Sequence, residues 1–294
     1  MSRQRNLTSL FALVLLAVPA SAGPFVYVLA GSQQFGSMDL ATGALTPIGP
    51  IPATIQYLVP APNGSLLTME FNGDLASVNP ATGALSVIGP TGFSDCTTLT
   101  SPCGPHSQLA LGSNGGTVYA TDFANNLYTV NPATGHATLV GPTGIPPLPF
   151  IPLSTNPDGS FNFYDENLFG VGGKLYANFD AASFNPESSE FTIVIPPALY
   201  QINSVTGLAT MIASTDLGLI TIANVNGTIY GFEGTTNQVV TLNLTNGQTS
   251  VVSDIDPAAG LIGGAAAVPE PGSILLAALG LIALGSCRRR KPRS

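Results

Sequence analysis

The chain has 294 residues and little charge: 8 basic and 16 acidic side chains, 33 glycines, 25 prolines and a formal balance of −8. Seven of the eight basic residues lie within the first five and last seven positions, so residues 23–268 hold only Lys174 against fifteen carboxylates, a balance of −14. Such a body repels nucleic acid and anionic lipid, and an apolar content of 45 % excludes an acidic disordered tail.

The chain opens with Arg3 and Arg5, continues through the apolar run Leu7–Val18, and reaches Ala20-Ser21-Ala22, a small-x-small cleavage site. Charge, apolar stretch and small residues in that order predict an export signal over residues 1–22. The body, residues 23–267, is long enough for one large domain with ample core. Export gives the cysteines a meaning. Cys96 and Cys103 fall in one short loop of a chain bound for an oxidising compartment, which predicts a local disulfide. A metal site there is disfavoured, because only His106 stands nearby.

The body repeats itself. The segment Asp39–Pro50 (DLATGALTPIGP) returns as NPATGALSVIGP from Asn79 and as NPATGHATLVGP from Asn131. Weaker copies are NSVTGLATMIAS from Asn203 and NLTNGQTSVVSD from Asn243. The marker glycines Gly43, Gly83, Gly135, Gly207 and Gly247 are spaced by 40, 52, 72 and 40 residues, so the unit is about 40 residues with insertions in the middle. Each unit reads as four short strands. An irregular apolar strand comes first (Ile55–Val59, Ser107–Leu111, Leu168–Val171, Leu219–Val225). A strand introduced by glycine follows, then an alternating strand such as Leu127–Val130, then the proline–glycine turn and a last strand.

Four antiparallel strands per unit of about 40 residues predict an all-β β-propeller. Five markers give five blades; the alternative of six places a degenerate blade inside Ile145–Phe169. The ends predict closure. The first unit starts at what reads as its second strand, Phe25–Val28, and Gly260–Ala267 supplies the missing first strand. Pairing the two would remove an exposed sheet edge. Leu127-Tyr128-Thr129-Val130-Asn131-Pro132-Ala133-Thr134-Gly135 resembles the LYxxNPxTG strand-turn of bacterial propeller proteins, a resemblance that carries the fold and hardly any function.

Candidate chemistry is sparse. His136 stands in a turn where the other units carry alanine, leucine or glutamine, and no G-x-S-x-G or phosphate loop occurs. Glu70, Asp122, Asp180 and Glu233 each lie two to four residues after the Leu-Leu or aliphatic-Tyr pair of a unit, so rotational symmetry would place them on one ring able to collect oxygen ligands for Ca²⁺. The competing reading makes them turn residues. The insertion Pro142–Gly172 holds Phe150, Phe161, Phe163, Tyr164 and Phe169, aromatics that either stack on sugar rings or a partner, or pack a loop onto the blades. A second insertion, Ala181–Pro197, is similar.

The C-terminus, residues 268–294, has three parts: Pro269-Glu270-Pro271, an uncharged apolar run over 273–286, and Arg288-Arg289-Arg290-Lys291. The run is short for a bilayer crossing, but flanking arginines can snorkel, and the basic tail resists translocation. Cys287 sits at the cytoplasmic edge as a free thiol. This tripartite order resembles the PEP-CTERM sorting signal of Gram-negative bacteria. The resemblance implies an exported protein, anchored through 273–286 before an exosortase recognises Pro269, Glu270 and Pro271. It also implies release to, or attachment at, the surface of an exopolysaccharide producer. The resulting expectation is a non-catalytic binding or structural protein of the envelope or matrix, whose partners are exopolysaccharide or an envelope protein. The competing class is a metal-dependent propeller hydrolase or lactonase, which would need the four carboxylates to meet at the axis.

Overall fold

Alternating apolar residues and regularly spaced turn glycines give twenty short strands among the described residues. The computed structural model describes residues 24–31, 33–52, 55–61, 64–94, 108–145, 160–185, 187–188 and 190–267. The expected export signal, the Cys96–Cys103 loop and the sorting segment 268–294 lie outside them.

The strands form five four-stranded antiparallel sheets, each a blade written from the inner to the outer strand. Blade 1 uses β1 (Phe25–Ala30), β2 (Gln34–Asp39) and β3 (Leu45–Pro50), with its inner strand supplied from the far end of the chain. Blade 2 is β4 (Ile55–Pro60), β5 (Leu66–Glu70), β6 (Asp74–Val78) and β7 (Leu85–Pro90). Blade 3 is β8 (Gln108–Asn114), β9 (Thr117–Asp122), β10 (Asn126–Val130) and β11 (Ala137–Pro142). Blade 4 is β12 (Phe161–Val171), β13 (Lys174–Asn185), β14 (Glu190–Ile202) and β15 (Ala209–Ser214). Blade 5 is β16 (Leu219–Val225), β17 (Thr228–Glu233), β18 (Gln238–Leu242) and β19 (Thr249–Asp254). After a single 3-10 turn at Pro257–Ala259, β20 (Ile262–Ala267) returns as the inner strand of blade 1.

The ring closes as the sequence predicts, with Val26 opposite Ala267 and Val28 opposite Ala265 in antiparallel register. The inner strands then adjoin in the order β4, β8, β12, β16, β20 and back to β4. The described residues form five blades, and residues 161–169 of the first insertion lengthen blade 4. Its inner strand starts at Phe161 rather than Leu168, and residues 181–197 extend β13 and β14 into a long hairpin.

Strand alternation divides the core into five wedges, one at each blade–blade interface. In β1, Val26, Val28 and Ala30 join Phe232 and Val239 of blade 5, while Leu29 joins Leu58 and Leu66 of blade 2. The other wedges lie between blades 2 and 3, 3 and 4, and 4 and 5. Each sheet thus buries both faces, which no blade could do alone.

The repeated motif is the joint between blades. In blade 2 the Asn79 side chain accepts from the Ala81 amide at 2.9 Å, and Gly83 donates to the Asn79 carbonyl at 2.8 Å, closing the turn. In blade 3, Gly135 takes φ +84° and lies so close to blade 2 that a Cβ there would stand 2.2 Å from the Gly89 carbonyl oxygen. Gly89 comes from the IGP end of the previous unit. That end carries a β-bulge, with the register shifting between Leu75 and Ala76. The third–outer strand pair of every blade is bulged in the same way, which bends the outer edges away from strand addition. The Ala137 amide then bonds the Thr91 carbonyl at 3.0 Å across the joint. The two halves of the repeat are therefore a turn and its receptor on the neighbouring blade.

Candidate functional site

Glu70, Asp122 and Glu233 end the second strands of their blades, at the sheet edge opposite the start of β1 and the end of β20, whereas Asp180 lies within the lengthened β13. The carboxylates of Asp122 and Glu233 serve their own turns. Asp122 accepts from the Asn126 amide at 2.9 Å, from Asn126 Nδ2 at 3.0 Å and from the Tyr128 hydroxyl at 2.8 Å. Burial first, then this bond, pushes the Tyr128 hydroxyl up to about 12. Glu233 accepts from the Thr235 amide at 2.9 Å, the Thr236 hydroxyl at 2.6 Å and the Thr236 amide. Burial opposes its ionisation, but the Thr236 and Thr235 bonds outweigh it and hold the carboxyl below its usual range. Among the described residues, no three His, Cys, Asp and Glu side chains gather into a group able to hold a metal ion. The second strands stand about 4.8 Å behind the inner strands, farther from the axis.

Acidic groups that the sequence reading passed over concentrate in blade 4. Glu166, on the face toward blade 3, is buried and accepts from the Thr121 hydroxyl at 2.9 Å through Oε2, while Oε1 has no partner. Burial pushes its carboxyl up to about 8; the Thr121 bond pulls it down and the Asp122 charge pushes it further up. On the opposite face, toward blade 5, Asp165 stands directly across from Asp180, and Asn167 across from Asn178. Burial lifts Asp165 to about 6; burial and then the Asp165 charge lift Asp180 to about 8. Tyr57 of blade 2 donates to the Leu109 carbonyl. Its hydroxyl is raised by burial and by the Glu166 and Asp165 charges. The signal in the sequence was Asp165-Glu166-Asn167, three polar residues in an inner-strand position where other units are mostly apolar. It escaped notice because the insertion hid where that strand begins.

One end of the ring holds a cavity without titratable lining. At the end where the inner and second strands join, a cavity of about 280 Å³ is lined by Pro60, Ser113, Gly170, Asn224 and Ala267 among others, none of them ionisable. Asn224 is committed to the wall, donating to the Gly170 carbonyl at 2.6 Å. Among the described residues its lining holds no titratable side chain, and Ser113 supplies its one hydroxyl. His136 is exposed in its turn, its amide bonded to Thr134 Oγ1 at 3.4 Å. Phe169 stacks on Tyr176 at 5.7 Å, so this aromatic of the first insertion packs the blade.

Ala267 is both the last residue of β20 and the first residue of a recognised sequence pattern. Residues 267–291 match the PEP-CTERM protein-sorting motif. The chain carries a PEP-CTERM sorting signal on a propeller body. The motif marks an exported protein that is anchored and then processed by exosortase at the cell envelope. Pro269, Glu270, Pro271, Arg288, Arg289, Arg290 and Lys291 fall inside the matched range. Among the described residues no helix is long and apolar enough to cross a membrane, and the expected run over 273–286 lies outside them. No curated protein sequence matches the chain.

Several solved structures are similar to this chain. The nidogen/laminin complex matches at 11 % identity over 83 % of this chain and 98 % of that one, with a TM-score of 0.47. A structural genomics protein of unknown function from Bacteroides thetaiotaomicron matches at 14 % over 80 % and 59 %, with a TM-score of 0.43. The PQQ-bound aldose sugar dehydrogenase from Streptomyces coelicolor matches at 12 % over 82 % and 91 %, with a TM-score of 0.40. At these scores the likenesses carry no argument about activity, and the propeller assignment rests on the strand order above.

Proposed function

We propose that the propeller is a non-catalytic binding or structural module displayed on the surface or in the extracellular matrix of a Gram-negative bacterium, working with exopolysaccharide. One observation supports this most: the sorting motif begins on the strand that closes the ring. The whole ring is therefore the cargo, with no intervening domain. The sheet edge at which β20 ends, next to the sorting motif in sequence, faces the membrane before processing. The opposite edge, with the lengthened blade 4, points outward. Carboxylates committed to their own turns and an axial cavity without ionisable lining favour binding over chemistry.

The test is co-sedimentation of the purified full-length chain with the producing organism's own exopolysaccharide, with and without Ca²⁺. Saturable binding supports the matrix role. Its absence in both conditions discards polysaccharide as the partner and leaves an envelope protein to be sought.

A further inference from the structure

We infer that blade 4 binds a hard divalent cation of the Ca²⁺ class between the carboxylates of Asp165 and Asp180 and the amide oxygen of Asn178. This goes beyond the matrix reading and stands whether or not polysaccharide is bound. It also differs from the four-blade ring that the sequence suggested, since its side chains come from two strands of a single sheet.

Three observations build the site. First, β12 and β13 pair Asp165 with Asp180 and Asn167 with Asn178, so four oxygen-bearing side chains share one face, at the blade 4–blade 5 interface. Like charges directly opposite on paired strands repel. The only basic residue of the body, Lys174, is exposed and lies six positions along β13 from Asp180, about 20 Å away by strand rise. Among the described residues no cationic side chain offsets the pair.

Second, two oxygens in this array have no partner although they are buried. Asn178 is 0 % exposed and Asp180 9 %, yet Asn178 Oδ1 and Asp180 Oδ1 accept no hydrogen bond. The orientation of the Asn178 amide is fixed by its other end. Nδ2 faces two acceptors, the Ala198 carbonyl and Thr215 Oγ1, each at 3.4 Å, so a flipped amide would set oxygen against the carbonyl. Asn167 is held likewise, donating to the Leu219 carbonyl of blade 5 at 2.6 Å. Buried acceptors of this kind are ordinarily satisfied.

Third, the neighbouring blade meets the carboxylate with a glycine. A Cβ on Gly218 would stand 2.9 Å from Asp180 Oδ2, so a larger residue there would press on the carboxylate. Carboxylate and amide oxygens with no nitrogen or sulfur donor select Ca²⁺ or Mg²⁺ over transition metals. Two carboxylates match the charge of one such ion, and Ca²⁺ accepts irregular sites completed by carbonyls and water.

The experiment is calorimetric titration of chelator-treated full-length chain in detergent with CaCl₂ and, separately, MgCl₂, with thermal unfolding recorded in parallel. One saturable site per chain and a melting midpoint that climbs with the cation are expected. Asp165→Asn and Asp180→Asn should each weaken binding by about tenfold or more, because ligand charge sets affinity in oxygen sites. Gly218→Val should also weaken it, whereas Asp74→Asn in blade 2 should not. The Asp→Asn variants are nearly isosteric and relieve a repulsion. Without cation they should melt no lower than the unaltered protein, which separates lost binding from lost folding. Absence of both heat and midpoint shift with either cation at millimolar concentration overturns the site. So does binding that survives undiminished in Asp165→Asn and Asp180→Asn.

Discussion

The joint between blades can be tested with one methyl group. Gly135 and Gly115 both hold left-handed backbone, at φ +84° and +56°, but their surroundings differ. A Cβ on Gly115 meets nothing within 4 Å, whereas one on Gly135 would stand 2.2 Å from the Gly89 carbonyl oxygen of blade 2. Forcing alanine into this backbone region costs about 1–2 kcal/mol at either position. At Gly135 the turn must also withdraw from blade 2, which loosens the neighbouring bond from the Ala137 amide to the Thr91 carbonyl, worth about 1 kcal/mol net. The packing around that joint loosens with it. Gly135→Ala should therefore destabilise by about 3 kcal/mol or more, and Gly115→Ala by about 1–2 kcal/mol. For a body of this size the gap, about 1–2 kcal/mol, corresponds to a melting difference of roughly 2–8 °C. Urea unfolding followed by circular dichroism on both variants measures it. Equal losses would refute the reasoning: the marker glycine would then be kept for its own turn alone, and the repeat would not be a joint.

Other outcomes follow from the same contacts. Phe35 is fully buried between blades 1 and 2 and stacks on Tyr27 at 5.4 Å, so Phe35→Ala should cost about 3–5 kcal/mol in the same assay. Glu166 has a folded carboxyl raised to about 8 against an ordinary 4.5. Between those values the unfolded chain has released a proton that the folded one keeps, so stability falls as pH climbs from about 4.5 toward 8, at up to about 1.4 kcal/mol per unit. Glu166→Gln removes that component; with chelator present, the difference between the two proteins across pH 5–8 should slope, and a flat difference would rule out a protonated buried carboxyl. In the producing cell, Glu270→Ala should leave the chain unprocessed and membrane-retained on immunoblots; normal processing would show that the central acid of the motif is dispensable.

The repeat, read by itself, pointed to the architecture: its period gave the blade size, its five markers favoured five blades over six, and the half-units at either end predicted closure between β1 and β20. These features are legible because strand alternation and turn glycines act over a few residues. The sorting signal is legible for a similar reason, since its three parts are contiguous. Interfaces were not legible. Nothing local in NPATGALSVIGP says that its turn meets the IGP end of the unit before it; that follows only when blades stack and Gly135 reaches Gly89. Equivalent positions also proved inequivalent. Asp122 and Glu233 turn onto their own loops because Asn126, Tyr128, Thr235 and Thr236 are at hand, while Asp180, in a strand lengthened past the turn, faces Asp165 instead. Rotational symmetry in sequence fixes where a backbone goes. Which partner a carboxylate finds depends on the strand beside it, and in blade 4 only the tertiary structure placed that strand.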